Sequence, residues 1–115
     1  MLAGRIVTRA GAVIVPLKCA FGRCLPGSVT LTVVETLSQG RVTGVAAGRV
    51  SRRQRFLRVV VGKATAAPSA GRTDLVVVHL NATGRRLLRH WRPLPVRVVV
   101  TSGIELLAAT QLRIP

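Results

Sequence analysis

The chain has 115 residues, a net charge of +15 and 49% apolar residues, of which few are aromatic. This length suits one domain over residues 1–115 with a buried core, and the apolar content excludes a fully disordered chain. No uncharged apolar run approaches the ~18 residues that a membrane-spanning helix needs. Valine, isoleucine and threonine together supply 33 residues, which favours β-strands.

The first half of the chain alternates with the period of two that is typical of half-buried strands. We expect Arg5 to Arg9 to form a short edge strand, followed by two longer strands. The inward rows are Val13, Val15, Leu17 and Cys19 in the second strand and Val29, Leu31 and Val33 in the third, whose Ser28, Thr30 and Thr32 should face solvent.

The two cysteines, Cys19 and Cys24, are separated by four residues. This spacing suits a small loop between neighbouring strand ends, and we predict a disulfide that closes it. Two inert thiols or a metal site are the alternatives, but two ligands are too few for a metal and neither histidine lies at ligand spacing. A disulfide would indicate an oxidising compartment outside the cytoplasm.

The second half of the chain repeats the alternation, with turn residues between the runs. A tight Ser102-Gly103 turn predicts an antiparallel hairpin of the last two strands. Short strand spacing without amphipathic crossover helices favours an antiparallel sandwich or barrel. The predicted inward rows are Leu57, Val59 and Val61; Val76, Val78 and Leu80; Val96, Val98 and Val100; and Ile104, Leu106, Ala108, Leu112 and Ile114.

One segment, Asn81 to Trp91, breaks the strand pattern and predicts a short helical crossover. Asn81 is a suitable N-cap, and Pro93 should end the helix. Leu87 and Trp91 are four residues apart and should share its inward face. We interpret Trp91 as a core residue beneath the crossover, with ligand stacking as the alternative. The outward face would carry Arg85, Arg89 and Arg92.

The residues that could support catalysis are few and scattered. Acid–base chemistry needs convergent groups, and nothing in the spacing of Glu35, Asp74 and Glu105 brings them together. His79 is out of phase with its strand and should face solvent or an edge, and no nucleophile motif accompanies His79 or His90. The glycines are scattered singly, unlike a phosphate-binding loop. We therefore expect no enzymatic activity, no cofactor and no metal.

Arginine accounts for 16 of the 18 basic residues and forms two clusters. Guanidinium groups bind phosphates bidentately, so either cluster could bind a cell-wall polyanion or nucleic acid. The alternative is that both clusters are merely solvated surface. The candidate residues are Arg49, Arg52, Arg53, Arg55 and Arg58 in the first cluster and Arg85, Arg86, Arg89 and Arg92 in the second.

The order of these features resembles a known family. A valine-rich strand ends in the Cys-x4-Cys loop, and Gly-Ser-Val-Thr-Leu-Thr-Val follows it. Val-Gly-Lys-Ala, Asp-Leu-Val-Val-Val-His-Leu, Asn-Ala-Thr-Gly-Arg-Arg-Leu-Leu and Leu-Pro-Val-Arg-Val-Val-Val come next. Over residues 5–114, the chain resembles the bacterial immunoglobulin-like or fibronectin-type-III-like repeats of large secreted and surface proteins of high-GC bacteria. The basic insertion from Gly40 to Arg55 departs from that pattern.

The resemblance implies an all-β, antiparallel two-sheet Greek-key sandwich of about seven strands, with the helical crossover near residues 82–91. It also implies a non-enzymatic module that serves in spacing, adhesion or self-assembly outside the cell or on its surface. Its partners would be neighbouring domains or copies of itself, through edge strands or surfaces. The alternative is a small basic β-barrel that binds nucleic acid or another polyanion through the arginine clusters.

Overall fold

The computed structural model describes residues 4–9, 11–18, 27–38, 41–47, 55–66, 73–102 and 105–115. Within these ranges the chain forms eight strands and one helix. In chain order they are β1 (Val7–Arg9), β2 (Ala12–Lys18), β3 (Gly27–Ser38), β4 (Arg41–Ala46), β5 (Arg55–Ala66), β6 (Thr73–His79), α1 (Ala82–His90), β7 (Leu94–Ser102) and β8 (Glu105–Ile114). No helix in the described part of the chain has the length and apolar content to cross a membrane.

The strands form two antiparallel sheets. The small sheet has three strands in the order β1-β2-β6. In the five-stranded large sheet, β3 is central: β5 pairs along one of its edges, β7 and β4 share the other, and β8 lies beyond β7. The chain changes sheet after β2, β5 and β6, so that β2 pairs with β6 and β3 with β7. The predicted all-β, two-sheet Greek-key sandwich with a helical crossover is therefore confirmed.

The core lies between the two sheets and consists almost wholly of valine and leucine. Each such side chain contributes ~1.5–3 kcal/mol when it leaves water, before the entropy cost of ordering it. The inward rows predicted for β2, β3, β6 and β7 are confirmed for the residues that the structure describes, because all of them are buried. Cys19, predicted in the β2 row, lies outside the described residues. Fully buried side chains include those of Val13, Val15, Val29, Leu31, Val33, Val61, Val78, Leu94, Val96, Val98, Val100 and Ile114.

A β-bulge interrupts β5 where the helix packs on it. Leu31 pairs with Gly62 and Thr32 pairs with Val60, so Val61 is an extra residue in β5. Bulges bend a strand and leave backbone groups outside the ladder. A Cβ added at Gly84 of α1 would lie 2.8 Å from the Val61 carbonyl oxygen. The absence of a side chain at this position therefore lets α1 approach the bulge closely.

Three sequence expectations need correction. Leu57 was expected to face the core but is 52% exposed. It pairs with Glu35 in the part of the β3–β5 ladder that extends past the small sheet, since β3 and β5 have 12 residues whereas β2 and β6 have 7. Leu106 is exposed because a register shift in the β7–β8 ladder pairs it with Thr101, on the outward face of β7.

The third correction concerns Thr32, which was expected to face solvent. It is only 8% exposed, and its hydroxyl has no hydrogen-bond partner. The cause is its place in the central strand, where Val60 and Arg97 flank it in register on both sides. An unpaired buried hydroxyl costs about 1–3 kcal/mol.

One strand was not predicted: β4 (Arg41–Ala46) lies in the segment interpreted as a basic insertion. Its two valines, Val42 and Val45, are three residues apart, which does not fit strict alternation, and Gly44 lowers strand propensity. The ladder between β3 and β4 accommodates the spacing through a register shift after Thr36.

The close contact at Gly84 predicts a steric penalty. Alanine normally favours a helix by ~1 kcal/mol over glycine, but in Gly84→Ala we expect a net loss of about 2 kcal/mol, as in other overpacked sites. Urea unfolding would measure it. The control is Gly44→Ala, whose Cβ would lie 3.7 Å from its nearest neighbour, Thr36 Oγ1. Equal effects of the two substitutions would contradict the packing of α1 on the bulge.

Candidate functional site

Helix α1 is fixed on the large sheet by its N-cap residue, Asn81. The backbone N–H of Asn81 donates to the Val61 carbonyl at 2.8 Å, and Nδ2 donates to the Val60 carbonyl at 2.9 Å. Both carbonyls belong to the β5 bulge. The side-chain Oδ1 accepts the Gly84 N–H at 2.9 Å, so the predicted N-cap is confirmed. One residue thus satisfies two strand carbonyls and one of the otherwise unpaired N–H groups of the first turn.

The inward face of α1 completes the core. Leu87 is buried, as expected, and Leu88 beside it is buried too. Trp91 is half-buried and packs against the core, in agreement with its interpretation as a core residue. Its backbone N–H donates to the Leu87 carbonyl at 2.8 Å. With its apolar face covered, the helix turns its arginines outward.

A groove of about 570 Å³ lies beside this outward face. One wall is the arginine face of α1, and the other is the end of β6 with the turn between β1 and β2. Its lining residues are Gly11, His79, Leu80, Arg85, Leu88, Arg89, Arg92 and Pro115. We call this feature the α1 groove.

Two of the three groove arginines are tethered to the backbone. Arg85 Nη1 donates to the Leu80 carbonyl at 2.7 Å, and Arg92 Nε donates to the Leu88 carbonyl at 3.2 Å. Each bond uses one of the five N–H donors of a guanidinium group and leaves the others for a ligand. Arg89 makes no side-chain hydrogen bond within the described part of the chain. The groove therefore holds two oriented guanidinium groups, those of Arg85 and Arg92. The guanidinium group of Arg89, which lies between them in the sequence, is not tethered.

All the charged side chains that line the groove are basic. None of its lining residues is acidic, and the first turn of α1 has no acidic residue either. Like charges one helical turn apart, such as those of Arg85 and Arg89, repel each other by a few tenths of a kcal/mol. A concave surface lined by one sign of charge concentrates counter-ions. Two other surface depressions of the described chain each contain a single arginine, Arg113 or Arg5.

The structure divides the second arginine cluster. Arg85, Arg89 and Arg92 line the α1 groove, whereas Arg86 is exposed on the same helix but does not line it. Successive helix residues are turned by about 100° around the axis, so Arg86 lies farther round the helix from Arg85 than Arg89 does.

The first arginine cluster is only partly described. Arg58 is exposed on β5, in register with Val34, and takes no part in the groove. Arg55 begins β5. Arg49, Arg52 and Arg53 lie outside the described residues, as do Cys19 and Cys24, so the predicted disulfide stays a prediction.

Sequence reasoning did not connect His79 or Gly11 with the arginines. His79 is exposed, as its strand phase indicated, and the groove begins where β6 ends at this residue. Gly11 adopts a positive φ of 78° in the turn before β2, and that turn faces α1 only through the pairing of β2 with β6. The position of His79 just before the helix cap could have placed it near the arginines from sequence alone. The position of Gly11 could not be predicted without the pairing of β2 with β6.

The described residues contain no group of three or more histidine, cysteine, aspartate or glutamate side chains placed to hold a metal ion. Two of the acidic residues lie on different sheets, Glu35 in β3 and Asp74 in β6.

A second surface feature is the outward face of the small sheet. Leu75 is 66% exposed, and Val7 and Val77 are also exposed. Val7 and Val77 both pair with Ile14, so they flank it on one face. We call Val7, Ile14, Leu75 and Val77 the apolar strip. Exposed Arg5, Arg9, Lys18 and His79 lie on the same strands or at their ends.

Comparison with known proteins does not identify a relative: no protein-family model, no curated protein and no solved structure matches the chain. The groove and the apolar strip therefore carry the functional argument.

The contacts of Asn81 predict a graded loss of stability. In Asn81→Ala, the cap and the bond to the Val60 carbonyl both disappear, and we expect a loss of about 2 kcal/mol. In Asn81→Asp, the cap acceptor stays but the donor is lost, so the loss should be about half as large. Urea unfolding measures both. Wild-type stability in Asn81→Ala would show that Asn81 does not hold α1 on β5.

Proposed function

We propose that the chain is a non-enzymatic β-sandwich module of a secreted or cell-surface protein, which packs against neighbouring domains or copies of itself and so serves in spacing, adhesion or self-assembly. The apolar strip is the observation that carries this proposal. Single exposed apolar residues are common, but a contiguous set on a flat sheet face is typical of a contact surface.

The resemblance to immunoglobulin-like repeats is the second ground for this proposal. Those repeats form Greek-key sandwiches in surface proteins, and the pairing of β2 with β6 and of β3 with β7 is compatible with that topology. The family assignment belongs to the proposal, since it rests on the motifs quoted above.

Contact through the apolar strip predicts weak self-association that increases with salt. Each copy carries a charge of +15, so screening should favour the dimer. A few half-exposed side chains support a dissociation constant on the order of 1 mM. Sedimentation equilibrium at high salt should detect it, and Leu75→Thr should abolish it.

Leu57→Thr is the matched control, because Leu57 is similarly exposed but lies on the β3–β5 extension. The control should associate like the wild type. A chain that stays monomeric at every salt concentration, or equal effects of the two substitutions, would contradict packing between copies through the strip.

The proposed location predicts the redox state of the cysteines. In protein isolated from its native compartment, Cys19 and Cys24 should resist alkylation, and the intact mass should be lower than that of the reduced chain by two hydrogen atoms. Mass spectrometry with and without thiol alkylation measures this. Two alkylated thiols in the native sample would contradict the extracellular placement.

A second candidate function is the binding of an acidic polymer, and the α1 groove is the observation that favours it. The arginines are gathered in a concave surface whose lining has no acidic side chain, and this arrangement attracts polyanions beyond the effect of net charge. The two functions are compatible, since different residues form the groove and the apolar strip.

A further inference from the structure

The three groove arginines form a row that lines the α1 groove. Arg85 and Arg89 are four residues apart and share one face of α1. Arg92 follows just after the helix ends at His90, and its bond to the Leu88 carbonyl holds it against the last turn. We propose that the α1 groove is a binding site for consecutive phosphate groups of a linear anionic polymer. This inference rests on the polyanion-binding candidate and names its site and ligand chemistry.

Tethering orients the outer two guanidinium groups for this task. The bonds of Arg85 to the Leu80 carbonyl and of Arg92 to the Leu88 carbonyl restrict both side chains before a ligand arrives. These side chains then lose fewer rotamers when a ligand binds, so the entropy cost of ordering them is smaller and the binding is tighter. The remaining planar N–H donors match the oxygen pairs of a phosphate group.

The row of arginines favours a polymer over a single ion. One phosphate can contact one or two guanidinium groups, whereas a chain of phosphates can follow the groove past all three. Each neutralised phosphate also releases counter-ions, so affinity should rise with the number of phosphates and fall with salt.

The lining of the groove favours recognition of phosphate without bases. It contains no phenylalanine, tyrosine or tryptophan, and Trp91, the nearest of these in sequence, packs against the core. The imidazole of His79 is the one ring among the lining side chains. Stacking platforms are what proteins use to hold the bases of single strands. Linear polyphosphate, which has no bases, is therefore a sufficient probe.

Arg86 provides a matched control for the groove. It lies on the same helix, three residues before Arg89, is exposed and does not line the groove. Arg86→Gln and Arg89→Gln remove the same charge from the same helix. Neither side chain makes a hydrogen bond within the described part of the chain, so neither substitution should unfold it.

The test is a titration of the full chain with linear polyphosphate and with orthophosphate, followed by calorimetry or by NMR of the arginine Nε–H signals. The wild type should bind polyphosphate saturably and more tightly than orthophosphate. Arg89→Gln should weaken binding about tenfold, the loss of one charge-assisted contact, and Arg86→Gln less than twofold. Arg89→Lys should fall between the wild type and Arg89→Gln, because it keeps the charge but loses the planar fork.

Equal weakening by Arg86→Gln and Arg89→Gln would overturn the site, because it would show diffuse attraction by net charge. Oligothymidylate that binds more than about tenfold tighter per phosphate than polyphosphate would also overturn it, because bases would then carry the recognition. Retention of the wild type on a DNA resin at high salt without polyphosphate binding in the groove would reject this site but keep the polyanion-binding candidate. Loss of both interactions would reject both.

Discussion

The position of α1 depends on one residue, Asn81, which hydrogen-bonds both to the helix and to strand β5. Asn81 caps the helix through Oδ1 and donates two hydrogen bonds to the carbonyls of Val60 and Val61 at the β5 bulge. The bulge makes these carbonyls available, and Gly84 lets the helix come close enough for Asn81 to reach them. These bonds join the helix cap directly to the strand, so this arrangement stabilises both the strand and the crossover.

Both faces of α1 follow from this attachment. Leu87 and Leu88 close the core between the sheets, and the arginines opposite them come to lie beside the end of β6 and the β1–β2 turn. The bonds of Arg85 and Arg92 to backbone carbonyls then turn a charged helix face into a groove with oriented donors. The α1 groove is therefore formed when the crossover helix packs on the sheets.

The sequence was sufficient to predict the sheets, the helix and its cap, because valine alternation and the Asn81 cap are local signals. It was insufficient for Leu57, Leu106 and β4, whose positions depend on strand length and on register shifts between paired strands. The arginines of α1 were predicted as candidates. The sequence could not show, however, that Arg86 lies outside the groove. That depends on which side of the helix faces the turn at Gly11, and the pairing of β2 with β6 decides it.

The attachment of α1 to the bulge is tested most directly by the hydrogen bond between Asn81 N–H and the Val61 carbonyl. NMR can detect it as a scalar coupling across the bond between the Asn81 nitrogen and the Val61 carbonyl carbon, together with slow hydrogen exchange of the Asn81 amide. We predict both signals in the native chain. Absence of the coupling with rapid exchange at Asn81 and Gly84 would show that α1 is not held on β5, and would contradict the account of the fold and of the groove.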